Sequence, residues 1–214
     1  MAKKAQGTVV YVETALATAK TITGITAASP PVVTSAAHGY ANGDVIKITG
    51  VAGMAQVNNR AFVIANVTTN TFELKGVDGT TYTAYSSGGS AYKATLSAVG
   101  EVRGIPSMGG TSPTDIDASH LLSVAEEKLA GLPKQENVTM EILFDLTTAQ
   151  HTTLIKANQD LVERVFHFQQ PGNFNMTVVA QVGGFSVTGG DVNAIYSASV
   201  TLVPRASGAW SLTT

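Results

Sequence analysis

The chain has no cysteine among its 214 residues. Disulfides, thiolate metal sites and cysteine nucleophiles are therefore excluded. Charge is scarce as well. Asp, Glu, Lys and Arg make up 13% of the chain, against a usual ~25%. Such a surface has little electrostatic protection against association; it suits a protein covered by other subunits, or an extracellular β protein. The net charge is −2, which argues against a dedicated nucleic-acid binder, because that task needs a basic face. No stretch reaches the ~20 apolar residues of a membrane span. The first residues, MAKKAQGTVVYVE, hold two lysines but no apolar run of signal-peptide length. The expectation is a protein made in a cytoplasm, which stays there or leaves by lysis.

What the chain does have is apolar residues, 44% of the total, enough for a sizeable core and too many for global disorder. Their spacing is mostly that of strands. Residues 7–13, GTVVYVE, are β-branched or aromatic on both faces and read as a strand buried on two sides. Short strand candidates follow at 32–34, 45–48, 61–67, 71–75 and 80–85. Asn42-Gly43-Asp44, Asn58-Asn59-Arg60, Thr68-Thr69-Asn70 and Asp78-Gly79 separate them as turns. This is the pattern of a small all-β module.

The composition shifts near residue 93. Residues 20–93 carry +2, and the remainder carries −4. Charge asymmetry of this kind is a weak domain marker. Beyond it, 95–103 reads as a strand. Residues 105–119, with Pro106, Gly109, Gly110 and Pro113, read as a long loop. Apolar residues at Leu121, Leu122, Val124, Ala125 and Leu129 suit a helix over 119–130, stopped by Gly131 and Pro133. Val138, Met140, Ile142 and Phe144 alternate as in a half-buried strand. A second helix follows, with Thr147 and Gln150 as a capping box and Leu154, Ala157 and Leu161 as its inner face. Strands at 164–170, 175–187 and 193–203 complete the pattern. The fold expected is mainly β: an antiparallel sandwich or barrel with one flanking helix, plus the small all-β module.

No cluster carries chemistry. His38, His120, His151 and His167 lack the short spacings of metal sites and read as turn or surface residues. Asp115 and Asp117 lack the donors and glycine of a calcium loop. The paired glycines sit in turns rather than phosphate loops. Ser107 and Ser123 have no nucleophile-elbow context. Catalytic residues, cofactors and metals are all expected to be none.

Two resemblances add to this reading. The first rests on Pro31-Val32-Val33-Thr34, His38-Gly39-Tyr40 through Gly43-Asp44, Gly50-Val51 with Gly53-Met54, Thr71-Phe72-Glu73-Leu74, and Tyr85 through Gly88-Gly89. Together these resemble a small β-barrel module inserted into many phage virion proteins, which is similar to a half-domain of ubiquitin-activating enzymes. Those enzymes use a cysteine elsewhere in their fold; this chain has none, so the resemblance implies a fold and not that activity. The second rests on Gly7-Thr8-Val9-Val10-Tyr11, Ile116-Asp117 with Ser119-His120, Gly131-Leu132, the strand ending Phe144-Asp145, and the close near Ala209-Trp210. In that order these resemble the tail tube, or major tail, protein of long-tailed, non-contractile bacteriophages. The implied organisation is a tube core of residues 1–18 and 94–214, with 19–93 inserted as the β-barrel module.

The tail tube resemblance implies a structural virion protein, not an enzyme. Its homohexameric rings would stack into the tube that conducts double-stranded DNA during ejection. Its implied partners are itself, a tape measure protein, tail-end proteins and passing DNA without sequence recognition, and no membrane. It would act in the virion tail after assembly in the host cytoplasm. A basic wall would grip phosphates, so the negative balance of the tube part suits a sliding duplex. The resemblance assigns 119–130 to a loop-containing region, against the helix of the local pattern. It makes Ile116, Asp117, His120, Gly131 and Leu132 candidates for inter-ring or inter-subunit contact. The alternative is a virion decoration or adhesin protein that binds the host surface through its β module.

Overall fold

In a computed structural model, residues 6–120, 124–172, 174–189, 194–204 and 210–213 are described. The strands are, in chain order, β1 (Val9–Leu16), β2 (Lys20–Thr21), β3 (Gly24–Ile25), β4 (Val32–Thr34), β5 (Val45–Ala52), β6 (Arg60–Ala65), β7 (Thr71–Leu74), β8 (Ser87–Val99), β9 (Val102–Asp117) and β10 (Lys128–Leu143). The helix α1 (Ala149–Asp160) follows, then β11 (Arg164–Gln170), β12 (Phe174–Thr188), β13 (Ser197–Pro204) and β14 (Trp210–Thr213). The strands join in one antiparallel path, β3-β4-β7-β6-β5-β8-β1-β11-β12-β13-β10-β9, with β14 on β12 and β2 on β8. Among the described residues the path does not close on itself. The architecture is the antiparallel sandwich with a flanking helix that the strand periodicity predicts.

Two apolar cores form along this path. Val10 and Val12 of β1, Phe166 and Phe168 of β11, and the alternating residues of β10, β12 and β13 point to one interior, covered by Leu154 and Ala157 of α1. The second core lies within 22–91, around Ile46, Ile48, Phe62, Ile64, Phe72 and Leu74. Each such side chain contributes ~1.5–3 kcal/mol on burial. The strand β8 serves both regions. Its first part pairs β5 from Ala52↔Ser87 to Ile46↔Lys93, and its second part pairs β1 from Leu16↔Ala94 to Val10↔Val99. A third apolar cluster of Val45, Ala61 and Val63 on one side, and Ala94, Val165 and Val179 on the other, seals the two regions together.

Several expectations are corrected. Residues 80–85 form no strand: Asp78 Oδ1 accepts the Thr80 N–H and hydroxyl, and this turn delays pairing until Ser87. The expected loop at 105–119 is mostly the strand β9. Its prolines are tolerated because β9 pairs only β10 among the described residues, and an edge strand has no outer ladder to lose. No helix forms over 119–130 among the described residues; 121–123 lie outside them. Its described residues are instead part of the tip and the return of a hairpin. Eleven cross-strand pairs of β9 with β10 outweigh a helical spacing whose apolar face has no body to pack on, since Val124 and Leu129 are exposed.

The helix α1 also differs in detail. Its cap is Thr148, which makes no side-chain cap bond. Thr147 turns back to Asp145, giving its N–H to Oδ1 and its hydroxyl to Oδ2, so the expected capping box does not form. Leu161 adopts φ +52° beyond the helix and is exposed; the inner face is His151, Leu154 and Ala157. The strand expected at 193–203 starts at Ser197, and Asn193 lies outside the described residues.

Candidate interaction surfaces

The strands β9 and β10 form a ribbon whose two halves have different surroundings. At the base, Val138, Met140 and Ile142 are fully buried, and Val102, Ile105 and Met108 pack against the same core. Met108 faces Val138. Beyond that pair no described residue of the ribbon is buried. From Met108 to Asp117 the ribbon extends about 30 Å at strand rise, forming an arm held by backbone pairing.

The candidate contact residues gather at the arm's end. Ile116 lies opposite Leu129, and the two are 52% and 61% exposed. Gly131 sits beneath Ile116. A Cβ there would lie 2.9 Å from the Thr114 carbonyl oxygen and 3.1 Å from the Ile116 side chain, so the close crossing of the strands requires glycine. Leu132 projects with 85% exposure. At the tip, Asp117 Oδ1 accepts the Ser119 N–H, and Ser119 Oγ accepts the Glu127 N–H. The Ser119 N–H holds the Asp117 carboxyl below the usual range. His120 is at the exposed tip. The structure thus brings Ile116, Asp117, His120, Gly131 and Leu132 to one end of one ribbon. The arm from 111 to 137 holds five acidic and two basic residues, so its end is acidic as well as apolar.

A cavity of about 520 Å³ lies at the base of the arm. Thr8, Val102, Ile105, Met108 and Pro171 form much of its wall, and Arg103 is the one charged residue lining it. Gln170 donates to Met108 Sδ at 3.2 Å, fixing the thioether in that wall. Arg103 is exposed and enters none of the ion pairs among the described residues.

A wider cleft of about 640 Å³ separates β1 and β11 from β5 and β6. Tyr11, Asn42, Asn66, Lys75, His167 and Gln169 line it. The Tyr11 hydroxyl donates to Gln169 Oε1 at 3.2 Å, and Tyr11 lies 5.8 Å from the His167 ring. Burial pushes the His167 pKa down, which keeps this imidazole neutral at pH 7. Residues of this cleft come from distant parts of the chain, and no sequence spacing links them.

Three buried polar groups were not legible as such. His151, read as a turn or surface residue, is fully buried. With its proton on Nε2 the ring donates to the Gly100 carbonyl at 3.1 Å and accepts the Asp145 N–H on Nδ1 at 3.1 Å. It ties α1 to the Gly100-Glu101 corner from which β9 starts. His38 is also buried, and its Nδ1 accepts the Tyr40 N–H at 3.0 Å. Glu13, at the seam between the two cores, accepts the Val165 N–H at 2.9 Å. Burial raises its pKa, while that bond, Lys47 and Arg164 pull it back. Among the described residues no three His, Asp or Glu side chains gather as a metal site would require, and no helix is long and apolar enough to cross a membrane.

Comparison with known proteins supports one of the two resemblances. No curated protein matches the chain. Residues 29–94, about a third of its length, match the family model of the ubiquitin-activating enzyme E1 FCCH domain. This stretch contains most of the second apolar core and ends where β8 passes from β5 to β1; it is similar to that family.

Proposed function

We propose that this chain is a structural subunit of a bacteriophage tail tube, whose copies form stacked hexameric rings around a DNA channel. The observation that carries this reading is the arm. An isolated two-stranded ribbon is marginally stable in water, and this one ends in exposed Ile116, Leu129 and Leu132. Apolar side chains presented this far from the body mark an association surface. The low charge of the chain agrees with a surface largely covered by copies of itself. Residues 19–93 act as an inserted unit on the body formed by 1–18 and 94–214. The chain works by assembly rather than turnover, with a tape measure protein, tail-end proteins and passing double-stranded DNA as its other partners. Electron microscopy of the purified protein tests the reading: hollow tubes or six-membered rings are expected, and a monomer at all concentrations would refute it.

A second reading, a virion decoration or adhesin protein, is favoured by the cleft between β1, β11 and the inserted unit. Its aromatic and amide side chains suit a hydroxylated surface ligand. A stable monomer that binds host cells, and loses that binding on Tyr11→Ala, would support it.

A further inference from the structure

We infer that the end of the arm docks into the cavity at the base of the arm of a second copy, so that each subunit carries both a plug and its socket. This rests on the assembly reading above and specifies the contact.

The two surfaces match in chemistry. The plug is apolar at Ile116, Leu129 and Leu132 and acidic at Asp115, Asp117, Glu126 and Glu127. Lys128 offsets part of that charge, at 3.5 Å from Glu126 and 3.9 Å from Asp115. The socket has an apolar wall of Val102, Ile105, Met108 and Pro171, a polar side at Gln6, Thr8 and Gln170, and Arg103 as its one charged residue. An apolar plug with an acidic rim thus meets a socket with an apolar wall and a cation at its edge. Such complementarity fixes register and partner choice more than it adds raw affinity.

The chain's own arm is excluded as the occupant, which leaves a second copy as the source of a plug with this chemistry. The ribbon is paired from Met108, in the socket wall, to Asp117, which sets its end about 30 Å from that wall. It cannot fold back into its own socket without breaking its strand pairing. Plug and socket are different patches of the same chain, so the contact is head-to-tail. Contacts of that kind generate closed rings or open filaments rather than isolated dimers.

The absence of cysteine gives a direct test. Leu132 is 85% exposed, and a Cβ at Gly104, in the socket wall, meets nothing within 4 Å. Full-length Leu132→Cys and Gly104→Cys proteins are mixed and oxidised with copper phenanthroline, and wild-type assembly is followed by electron microscopy. A disulfide between positions 132 and 104, formed only in the mixture and mapped by peptide mass spectrometry, supports the inference. Assembly of the wild type with no such link, or with 132–132 links alone, overturns the inference and leaves the tube reading standing. A wild type that remains monomeric overturns both.

Charge reversal gives a second measurement that does not depend on cysteine. Arg103→Glu should raise the concentration needed for assembly at least about tenfold. Combining it with Asp115→Lys and Asp117→Lys should restore assembly. Failure of the combined variant to recover, while each variant keeps the wild-type unfolding midpoint, would also overturn the contact.

Discussion

The two halves of the β9–β10 ribbon share one pairing pattern and have opposite environments. At the base, Val138, Met140 and Ile142 alternate into a closed core. At the end, Leu129 and Leu132 are exposed, and the chain is held by cross-strand hydrogen bonds and the exposed Lys128–Asp115 ion pair. Backbone pairing decides that a ribbon exists, and burial decides where it is stable by itself. The base contributes to the core of the monomer; the end, with no apolar core beneath it, has only its own pairing and exposed polar contacts.

The sharpest way to break this contrast is to truncate each half. Met140→Ala removes a fully buried side chain and should cost ~2–5 kcal/mol in urea unfolding, because the cavity collapses only in part. Leu132→Ser should stay within ~0.5 kcal/mol of wild type and still abolish assembly in micrographs. Comparable unfolding costs at both positions would mean that the end is part of the monomer core after all. The next effect is at the corner that aims the arm. His151→Ala strands the Gly100 carbonyl and the Asp145 N–H, and should cost ~1–3 kcal/mol. His151→Gln, which can still reach one of the two partners, should recover part of this.

The contrast also explains what was legible in the sequence. The strands at 32–34, 71–75 and 164–170 were visible because each is short, apolar and bounded by a turn signal. The alternation of 138–144 was visible because its outer face is polar. The arm was hidden. Pro106, Pro113, Gly109 and Gly110 signal a loop when read locally, and only the edge position of β9 makes them compatible with a strand. The helical spacing of Leu121, Leu122, Val124 and Leu129 is real as a pattern, but a pattern implies a helix only where there is a body to face. His151 was within reach, since 151, 154 and 157 continue the inner face of α1 at helical spacing. Its partner Gly100 lies 51 residues away in sequence, beyond any local signal. Arg103, Glu13 and the cleft residues were invisible for the same reason: long-range pairing alone brings them together.

Carboxylates in the two environments should respond oppositely to acid. Glu13 is buried at the seam and its folded pKa lies above the unfolded 4.5. The folded state therefore binds the proton more tightly, and stability rises as pH falls through the raised folded value towards 4.5. Asp117 is exposed and its folded pKa lies below 3.8, so its contribution is present above 3.8 and is lost only as pH falls through the lowered value. Urea midpoints measured from pH 8 to 4.5 should show a contribution of this sign that Glu13→Gln removes and Asp117→Asn leaves in place, while His167, whose pKa burial lowers, contributes in the opposite sense. The replacement keeps an acceptor for the Val165 N–H, so at pH 7 it should change stability by no more than ~1 kcal/mol. A slope unchanged by Glu13→Gln would mean that Lys47 and Arg164 compensate the buried charge fully.

The smallest effect on global stability, and the most local, should come from Gly131→Val. Its Cβ would sit 2.9 Å from the Thr114 carbonyl oxygen and 3.1 Å from Ile116. Contacts this close between a side chain and a facing backbone must be relieved by movement, and the exposed arm is the part free to move. Unfolding in urea should remain within ~0.5 kcal/mol of wild type, because no core residue is touched. Amide exchange should nevertheless quicken across 111–117 and 128–135 while 138–143 stays protected, as expected when one end of a ribbon opens independently of its base. Faster exchange along the whole of β10 would show instead that base and end open as one unit, and the division between a folded half and an assembling half would fall.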